Sequence, residues 1–314
     1  MIAELTDESC FKEIRHALGP LREFNDLKRL YAYNLGCSSF ATWIFSRACE
    51  PITSGQPLRA DRWCAAMVAA ARLGAITPHV LKDVGLDEAE RVDVYQKSIM
   101  VHQDFPAGLL NSLTNACQEL DADSIEMVPT SALWVERLVA APRAGATCPG
   151  KPRIALEPPE MHSDHCAMVA VYGYLLADIF GADREDAWLI GLCHHFHNAY
   201  LPDSGFTGEM MLGAHLERVI DTLRTRVICE LPECYRTRVA RLFEEIDGVT
   251  TPLAKTFHAA DTIDRIVQME HYERTAQFKV RHALVDLNLV HEGAAQAFQH
   301  ALLKSTGLFV GPIE

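Results

Sequence analysis

Apolar residues recur at three- and four-residue spacing along almost all of this chain, and the apolar–polar alternation of a half-buried strand is rare. That period commits the chain to helices that each bury one stripe, so the expected class is all-α. Arg59 to Leu73 (RADRWCAAMVAAARL) sets the pattern, with charge at its start, alanine through its middle and Gly74 at its end. Asp83–Tyr95, Glu126–Val139, Arg184–Phe196 and Tyr235–Ile246 read the same way.

One segment breaks the pattern. Residues 141–160, APRAGATCPGKPRIALEPPE, carry five prolines and two glycines in twenty residues. Proline removes a backbone donor and clashes with the preceding turn, so this stretch reads as a linker or an extended connection. The expected organisation is a helical bundle over 1–145, a Pro/Gly-rich linker over 146–160 and a second helical domain over 161–314. At 314 residues, two domains each have enough chain to bury a core. In the second part, helices are expected over Ser163–Phe180, Arg184–Asn198, Glu209–Cys229, Tyr235–Asp247 and Pro252 to about Val290. The last opens on Thr251-Pro252, an N-cap followed by proline at the first helical position.

Composition narrows the partners. Hydrophobic residues make up 49% and charged residues 23%, which excludes long disorder as the main state. The formal charge of −13 argues against non-specific binding to nucleic acid or to an anionic membrane. It leaves room for a small anionic substrate, because a local site can oppose the global sign. The longest uncharged apolar run, Cys166 to Ala177, is too short to span a bilayer. Ten scattered cysteines without a CxxC pair, behind a polar, acidic N-terminus, lead to the expectation of a cytoplasmic protein with free thiols. Long amphipathic helices permit a homodimer.

Histidine is the unusual component. Of 14, two sit three apart (His162, His165), three fall in GLCHHFHNAY (His194, His195, His197), and His258 lies three before Asp261 in TFHAADTIDRI. Residues three apart share a helix face. Imidazoles and carboxylates brought together from several helices are what a first-row metal binds. Lone histidines such as His16, His79, His102, His282 and His300 are read as packing or surface groups. An HH pair ending an apolar helix is harder to dismiss, since buried imidazoles need partners for both nitrogens.

The stretch HCAMVAVYGYLLADIFGADREDAWLIGLCHH resembles the core of the HD-domain superfamily of metal-dependent phosphohydrolases. The family pattern is a His early in one helix, a G-x-D turn, a second helix running into a His-Asp doublet, and a distant Asp in a segment such as A-A-D-x-x-D. The resemblance covers about residues 160–275. It makes His165 the first ligand, Gly181-Ala182-Asp183 the turn, His194 the doublet His and Asp261 the distant Asp. The implied architecture is an N-terminal helical bundle followed by an HD-domain-like helical domain.

The chain departs from that pattern at the doublet, where His195 replaces Asp. An imidazole binds one metal through one nitrogen and does not bridge two ions as a carboxylate does. The loss of a negative charge disfavours Mg²⁺ and Ca²⁺ and favours a three-histidine, one-carboxylate site (His165, His194, His195, Asp261) for Zn²⁺, Fe²⁺, Mn²⁺ or Ni²⁺. Some members carry an acid three residues after the doublet, and here that residue is Asn198. Two-metal members carry further histidines, where this chain has Gly208 and the LFEEIDG segment; His215, Glu209 and Glu245 are the unorthodox substitutes. His162 is an alternative first ligand.

The implied chemistry is hydrolysis of a small phosphorylated molecule, a nucleotide in the first instance. His197, Asp203 in the LPDSG turn and Glu209 are the candidates for moving the proton, and Arg265 for holding a phosphate oxygen. Each has a plainer role: Arg265 as partner of Asp261, Glu209 as an N-terminal helix charge, the Asp203 turn as a chain reversal. Two other readings compete. One is a binding or regulatory module with an altered doublet, and the other is an oxygenase or lyase using the changed ligand set. The N-terminal half offers little chemistry of its own, and VHQDF, with His102 and Asp104, has no second cluster to join.

Overall fold

Arg184 begins a helix four residues after Phe180 ends one, and that tight reversal organises the molecule. The computed structural model describes residues 2–30, 39–74, 76–119, 132–145, 157–275, 279–286, 290 and 293–309. Its first helices are α1 (Ile2–Phe24), α2 (Phe40–Ser54), α3 (Ala60–Leu73), α4 (Pro78–Asp83), α5 (Glu88–Met100), α6 (Ala107–Ala116) and α7 (Leu133–Ala140). They are followed by α8 (His162–Phe180), α9 (Arg184–Cys193), α10 (Gly205–Leu212), α11 (Leu216–Glu230), α12 (Glu233–Ile246), α13 (Pro252–Thr275) and α14 (Gln296–Thr306). The fold is all-α. Among the described residues the sole extended pairing is an isolated antiparallel bridge between Pro142 and Met161.

Helix α8 is the axis. Every residue from His162 to Ala177 is buried, as its nearly uncharged sequence requires of a helix that is apolar all round. It packs against α1, α2, α3, α7, α9 and α13. Gly181 closes it in the left-handed conformation (φ +76°), with the Ala182 N–H returning to Ala177 O at 2.9 Å. Asp183 then caps α9 by accepting from the Asp186 N–H at 2.8 Å. The two helices lie close because small residues face each other. A methyl at Gly191 would come within 2.5 Å of Ala170 Cα, and one at Gly173 within 3.0 Å of Ala187 O.

Several helix bounds differ from those expected. The helix expected from Asp83 starts at Glu88, because Gly85 (φ +95°) breaks the chain and Asp87 and Glu90 form a capping box. The helix expected through Asn198 ends at Cys193, which leaves His194 and His195 in the turn that follows. The helix expected over Glu209–Cys229 is split at Gly213 (φ +49°) into α10 and α11. Helix α13 ends at Thr275, and the Thr251 cap is present, its hydroxyl accepting from the Ala254 N–H at 3.0 Å. Most of the expected linker (146–156) and the start of the expected Glu126 helix (126–131) lie outside the described residues.

The buried apolar side chains from both sides of that linker form one continuous cluster, running from Phe11 to Leu308. Polar ties cross with it. Tyr172 OH donates to Leu21 O at 2.6 Å, Arg22 grips both oxygens of Glu270 at 2.7 and 2.8 Å, and Lys255 Nζ donates to Asp7 at 2.6 Å. All eight described cysteines are free thiols, and no described helix is long and apolar enough to cross a membrane.

Gly191→Ala tests the close approach. The added methyl meets backbone rather than a flexible side chain, so α8 and α9 must separate. The expected cost is about 1–3 kcal/mol or more, read as a lowered urea midpoint with an unchanged slope.

Candidate metal centre

The start of α8, the end of α9 and the middle of α13 meet at one buried point. From α8 comes His165, with no exposed surface. From the turn after α9 come His194 and His195, and from α13 come Asp261 and Asp264. The candidate ligand nitrogens of His165, His194 and His195 all lie within 4.8 Å of one another. His194 Nε2 is 3.1 Å from His165 Nε2, and Asp261 Oδ1 is 3.1 Å from that same His165 nitrogen.

The outward nitrogens decide what the inward ones can do. His165 Nδ1–H donates to Asp264 Oδ2 at 2.7 Å, since a carboxylate can only accept. His194 Nδ1–H donates to Gly191 O at 2.8 Å. His195 Nδ1–H donates to Asn198 Oδ1 at 2.7 Å, and the Asn198 amide is oriented by its own bond to Leu201 O at 3.2 Å. In neutral rings, all three Nε2 atoms then carry lone pairs; those of His165 and His194 face each other at 3.1 Å, and Asp261 Oδ1 stands 3.1 Å from the His165 nitrogen. Acceptors facing acceptors repel, and a cation between them turns the repulsion into binding. Nδ1 anchored to an outer acceptor, Nε2 presented inward, is how proteins orient imidazole ligands. The donor set therefore fits a divalent transition metal.

Burial acts on His194, His195 and Asp261. It holds the His194 and His195 imidazoles well below their usual range, with His165 and His194 respectively as the next cause. Metal ligation needs this neutral form. Burial pushes the Asp261 carboxyl up, but His165, 3.1 Å away, and then the Arg265 charge outweigh it and hold Asp261 below its usual range.

Behind His165 lies a buried ionic layer that sequence reasoning missed. Lys28 Nζ, from a turn after α1, sits 2.8 Å from both Asp264 oxygens and 2.5 Å from Glu160 Oε1. Burial lowers the Lys28 ammonium and raises the Glu160 carboxyl. Each is overruled by its partners: Lys28 ends above its usual value, and Glu160 falls to about 2 under Lys28 and then Arg143. Glu160, His165 and Asp264 also form a metal-like group, but the ammonium already supplies their cation. The start of α8 is tied to the N-terminal half a second time. Thr42 Oγ1 donates to Asp164 Oδ1 at 2.8 Å, beside the Ser39 hydroxyl, while Asp164 Oδ2 accepts from the Met161 N–H at 3.1 Å.

The other expected residues fall around this centre. His162 is fully buried. Its Nδ1–H donates to Ala141 O at 3.0 Å, and its Nε2 has no hydrogen-bond partner among the described residues and lies 3.7 Å from Asp203 Oδ2. Burial and then Arg143 depress it to about 4. Asp203 accepts from the Ala144 and Gly205 N–H groups, both at 2.9 Å. The His197 ring centroid is 5.7 Å from that of His195, and its Nδ1 is buried without a partner. Arg265 Nη1 is 3.8 Å from Asp261 Oδ2. Glu209, on α10, is pushed up by burial and then by the charge of Asp203. His258 donates from Nε2 to Ile246 O and Gly248 O, both at 3.0 Å, and so pins a turn. His215 is exposed and Glu245 pairs with Arg241 at 3.1 Å, so neither joins the cluster. His102 packs edge-on against Phe24 in the core.

Helices α8, α9 and α13 bring histidines and aspartates together in an all-helical frame. A family model for the HD domain matches residues 135–303, more than half of the 314 residues, and the chain belongs to the HD-domain family. HD domains characteristically bind divalent metals. Neither the curated proteins nor the solved structures gave a match.

Two outcomes follow. Asp264→Asn keeps an acceptor for His165 but removes the charge that fixes its tautomer; metal affinity is expected to fall about 10- to 100-fold with the fold retained, by competition against a chelating dye. The second concerns His162 in chelator-treated protein. Its folded value lies below 6.5, so the unfolded chain takes up the proton first. Stability is lost as pH falls from 6.5 to about 4, and His162→Gln flattens part of that slope in urea titrations.

Proposed function

We propose that this protein is a metal-dependent hydrolase of a small phosphate ester, with a nucleotide as the first substrate to try. The observation that carries the reading is the grouping of His165, His194 and His195 ligand atoms within 4.8 Å of one another, each ring held from behind by an Nδ1 hydrogen bond, with Asp261 Oδ1 3.1 Å from the His165 Nε2. His165, His194, His195 and Asp261 hold the ion. When bound, a divalent metal lowers the pKa of water and polarises a phosphoryl oxygen.

The remaining residues handle the proton and the substrate. His162 Nε2 is the acceptor best placed to take the proton of the attacking water. It is neutral, buried, unpartnered and flanks the His195 ring at a centroid distance of 5.0 Å. Asp203 Oδ2, 3.7 Å away, stabilises the imidazolium that forms, and its own place is fixed by two backbone N–H groups. Asn198 keeps the His195 ring turned inward. His197 and Glu209 are the alternative proton carriers, one buried with a bare Nδ1 and the other held toward its neutral form by burial.

The test is release of inorganic phosphate from a nucleotide panel with Mn²⁺, Fe²⁺, Zn²⁺ or Ni²⁺. The reading predicts turnover that Asp261→Ala abolishes. His162→Gln is expected to lower kcat by about 10²- to 10⁴-fold with little change in KM. A metal-loaded protein that releases no phosphate from any substrate contradicts the reading and leaves a binding module. Oxygen uptake by the iron-loaded protein instead points to an oxygenase.

A further inference from the structure

His195 is held differently from the other candidate ligands. His165 and Asp261 stand inside helices and His194 caps α9, whereas His195 stands in the turn beyond, at φ −97° and ψ 21°. Local bonds close that turn: the Asn198 N–H donates to His195 O at 2.9 Å, and the Tyr200 and Leu201 N–H groups to His197 O at 3.0 and 2.9 Å. Such bonds fix the shape of a turn but not its placement against neighbouring helices. A ligand on a turn keeps its angle only with support from outside it.

That support comes from α7 and α11. Trp134 on α7 packs edge-on against Phe196, with centroids 4.8 Å apart. Three residues on, and so on the same helix face, Arg137 Nη1 donates to Ala199 O at 3.3 Å. The Arg137 guanidinium carbon also lies 4.5 Å from the Tyr200 ring centroid. From α11, the Arg226 guanidinium carbon lies 3.8 Å from that centroid, and Glu230 Oε1 accepts from the Tyr200 hydroxyl at 2.7 Å. The negative face of one phenol ring thus attracts two cations that would otherwise repel each other. The gripped residues, Ala199 and Tyr200, lie between Asn198 and Leu201. Those two are joined by the 3.2 Å bond that orients the Asn198 amide, whose oxygen holds His195 Nδ1 at 2.7 Å.

We propose that Arg137, Tyr200 and Arg226 form a latch that sets the direction of the His195 ring toward the metal. They are positioning residues and act through Asn198. The latch rests on the metal-site reading for its purpose. An imidazole offers the ion one nitrogen along one direction in the ring plane, so a tilted ring misses, whereas a carboxylate has two oxygens to offer. Histidine at 195 therefore raises the demand on the turn that carries it.

The experiment compares the full-length parent with Tyr200→Leu, Tyr200→Phe, Arg137→Met and Arg226→Met. Three quantities are measured: Co²⁺ affinity by competition with a chelating dye, the visible spectrum of the Co²⁺-loaded protein, and the urea midpoint. Tyr200→Leu is expected to weaken Co²⁺ binding about 3- to 10-fold and to change the visible bands, which report coordination geometry. Tyr200→Phe keeps the ring between the cations and is expected to restore most of both. Each arginine variant is expected to lose about 2- to 5-fold. Parental affinity and spectrum in Tyr200→Leu overturn the latch. Weaker binding that follows a lowered urea midpoint with unchanged bands makes the cluster a packing element only and overturns it as well. If Tyr200→Leu does not fold, Arg137→Met and Arg226→Met, both at exposed positions, decide by the same criteria. A parent that takes up no Co²⁺ defeats the metal-site reading by itself. The latch is then read in the metal-free chain from the His195 Nδ1–H signal of ¹⁵N-histidine-labelled protein, assigned by its loss in His195→Gln. Faster exchange of that proton in Tyr200→Leu, recovered in Tyr200→Phe, supports the latch, and an unchanged signal overturns it.

Discussion

Asp264 has no exposed surface and lies between two cationic or proton-bearing groups, His165 Nδ1 at 2.7 Å and Lys28 Nζ at 2.8 Å. A carboxylate so deep is costly unless it is paired and hydrogen-bonded, and here it is both. Its consequence reaches the front of the site. Because Asp264 accepts from Nδ1, His165 must present Nε2, and that nitrogen meets His194 and Asp261. Lys28 pairs with Asp264 and also holds Glu160, whose backbone carbonyl accepts from the Arg143 N–H. One buried ionic layer thus sets the ligand tautomer and ties the N-terminal half to the centre.

Around that layer the backbone is just as constrained. His194 turns its Nδ1 to Gly191 O within the last turn of α9, and the same glycine, without a Cβ, lets α9 lie close on α8. His195 is oriented by Asn198, so an imidazole supported by an amide stands at a position where the family resemblance leads one to expect an aspartate.

Periodicity and punctuation made the fold class readable. The three- and four-residue spacing gave the helices, and Gly74, Gly181 and Thr251 marked ends that the structure keeps. Breaks at Gly85 and Gly213 were missed because each interrupts an otherwise helical pattern with one residue in the left-handed region. At the site, His165, His194, His195 and Asp261 stood out as ligand types at helical spacing. The layer behind them did not. Lys28 and Glu160 are ordinary surface residue types, and only long-range packing brings them to Asp264, 236 positions from Lys28. Arg143 sat in a stretch whose prolines and glycines read as a connection. Asn198 looked like a missing acid, although a residue three after a histidine, on the same turn, is within reach of its ring.

The account stands on a cation between three imidazole nitrogens and Asp261. The most direct measurement is elemental analysis of the purified, untagged chain beside His194→Ala. The account predicts about one equivalent of a transition metal in the parent and its loss in the variant, with both folded. A parent that holds no metal, even after anaerobic reconstitution with Fe²⁺, Mn²⁺, Zn²⁺ or Ni²⁺, would contradict it and leave the histidine cluster as a neutral, hydrogen-bonded part of the core.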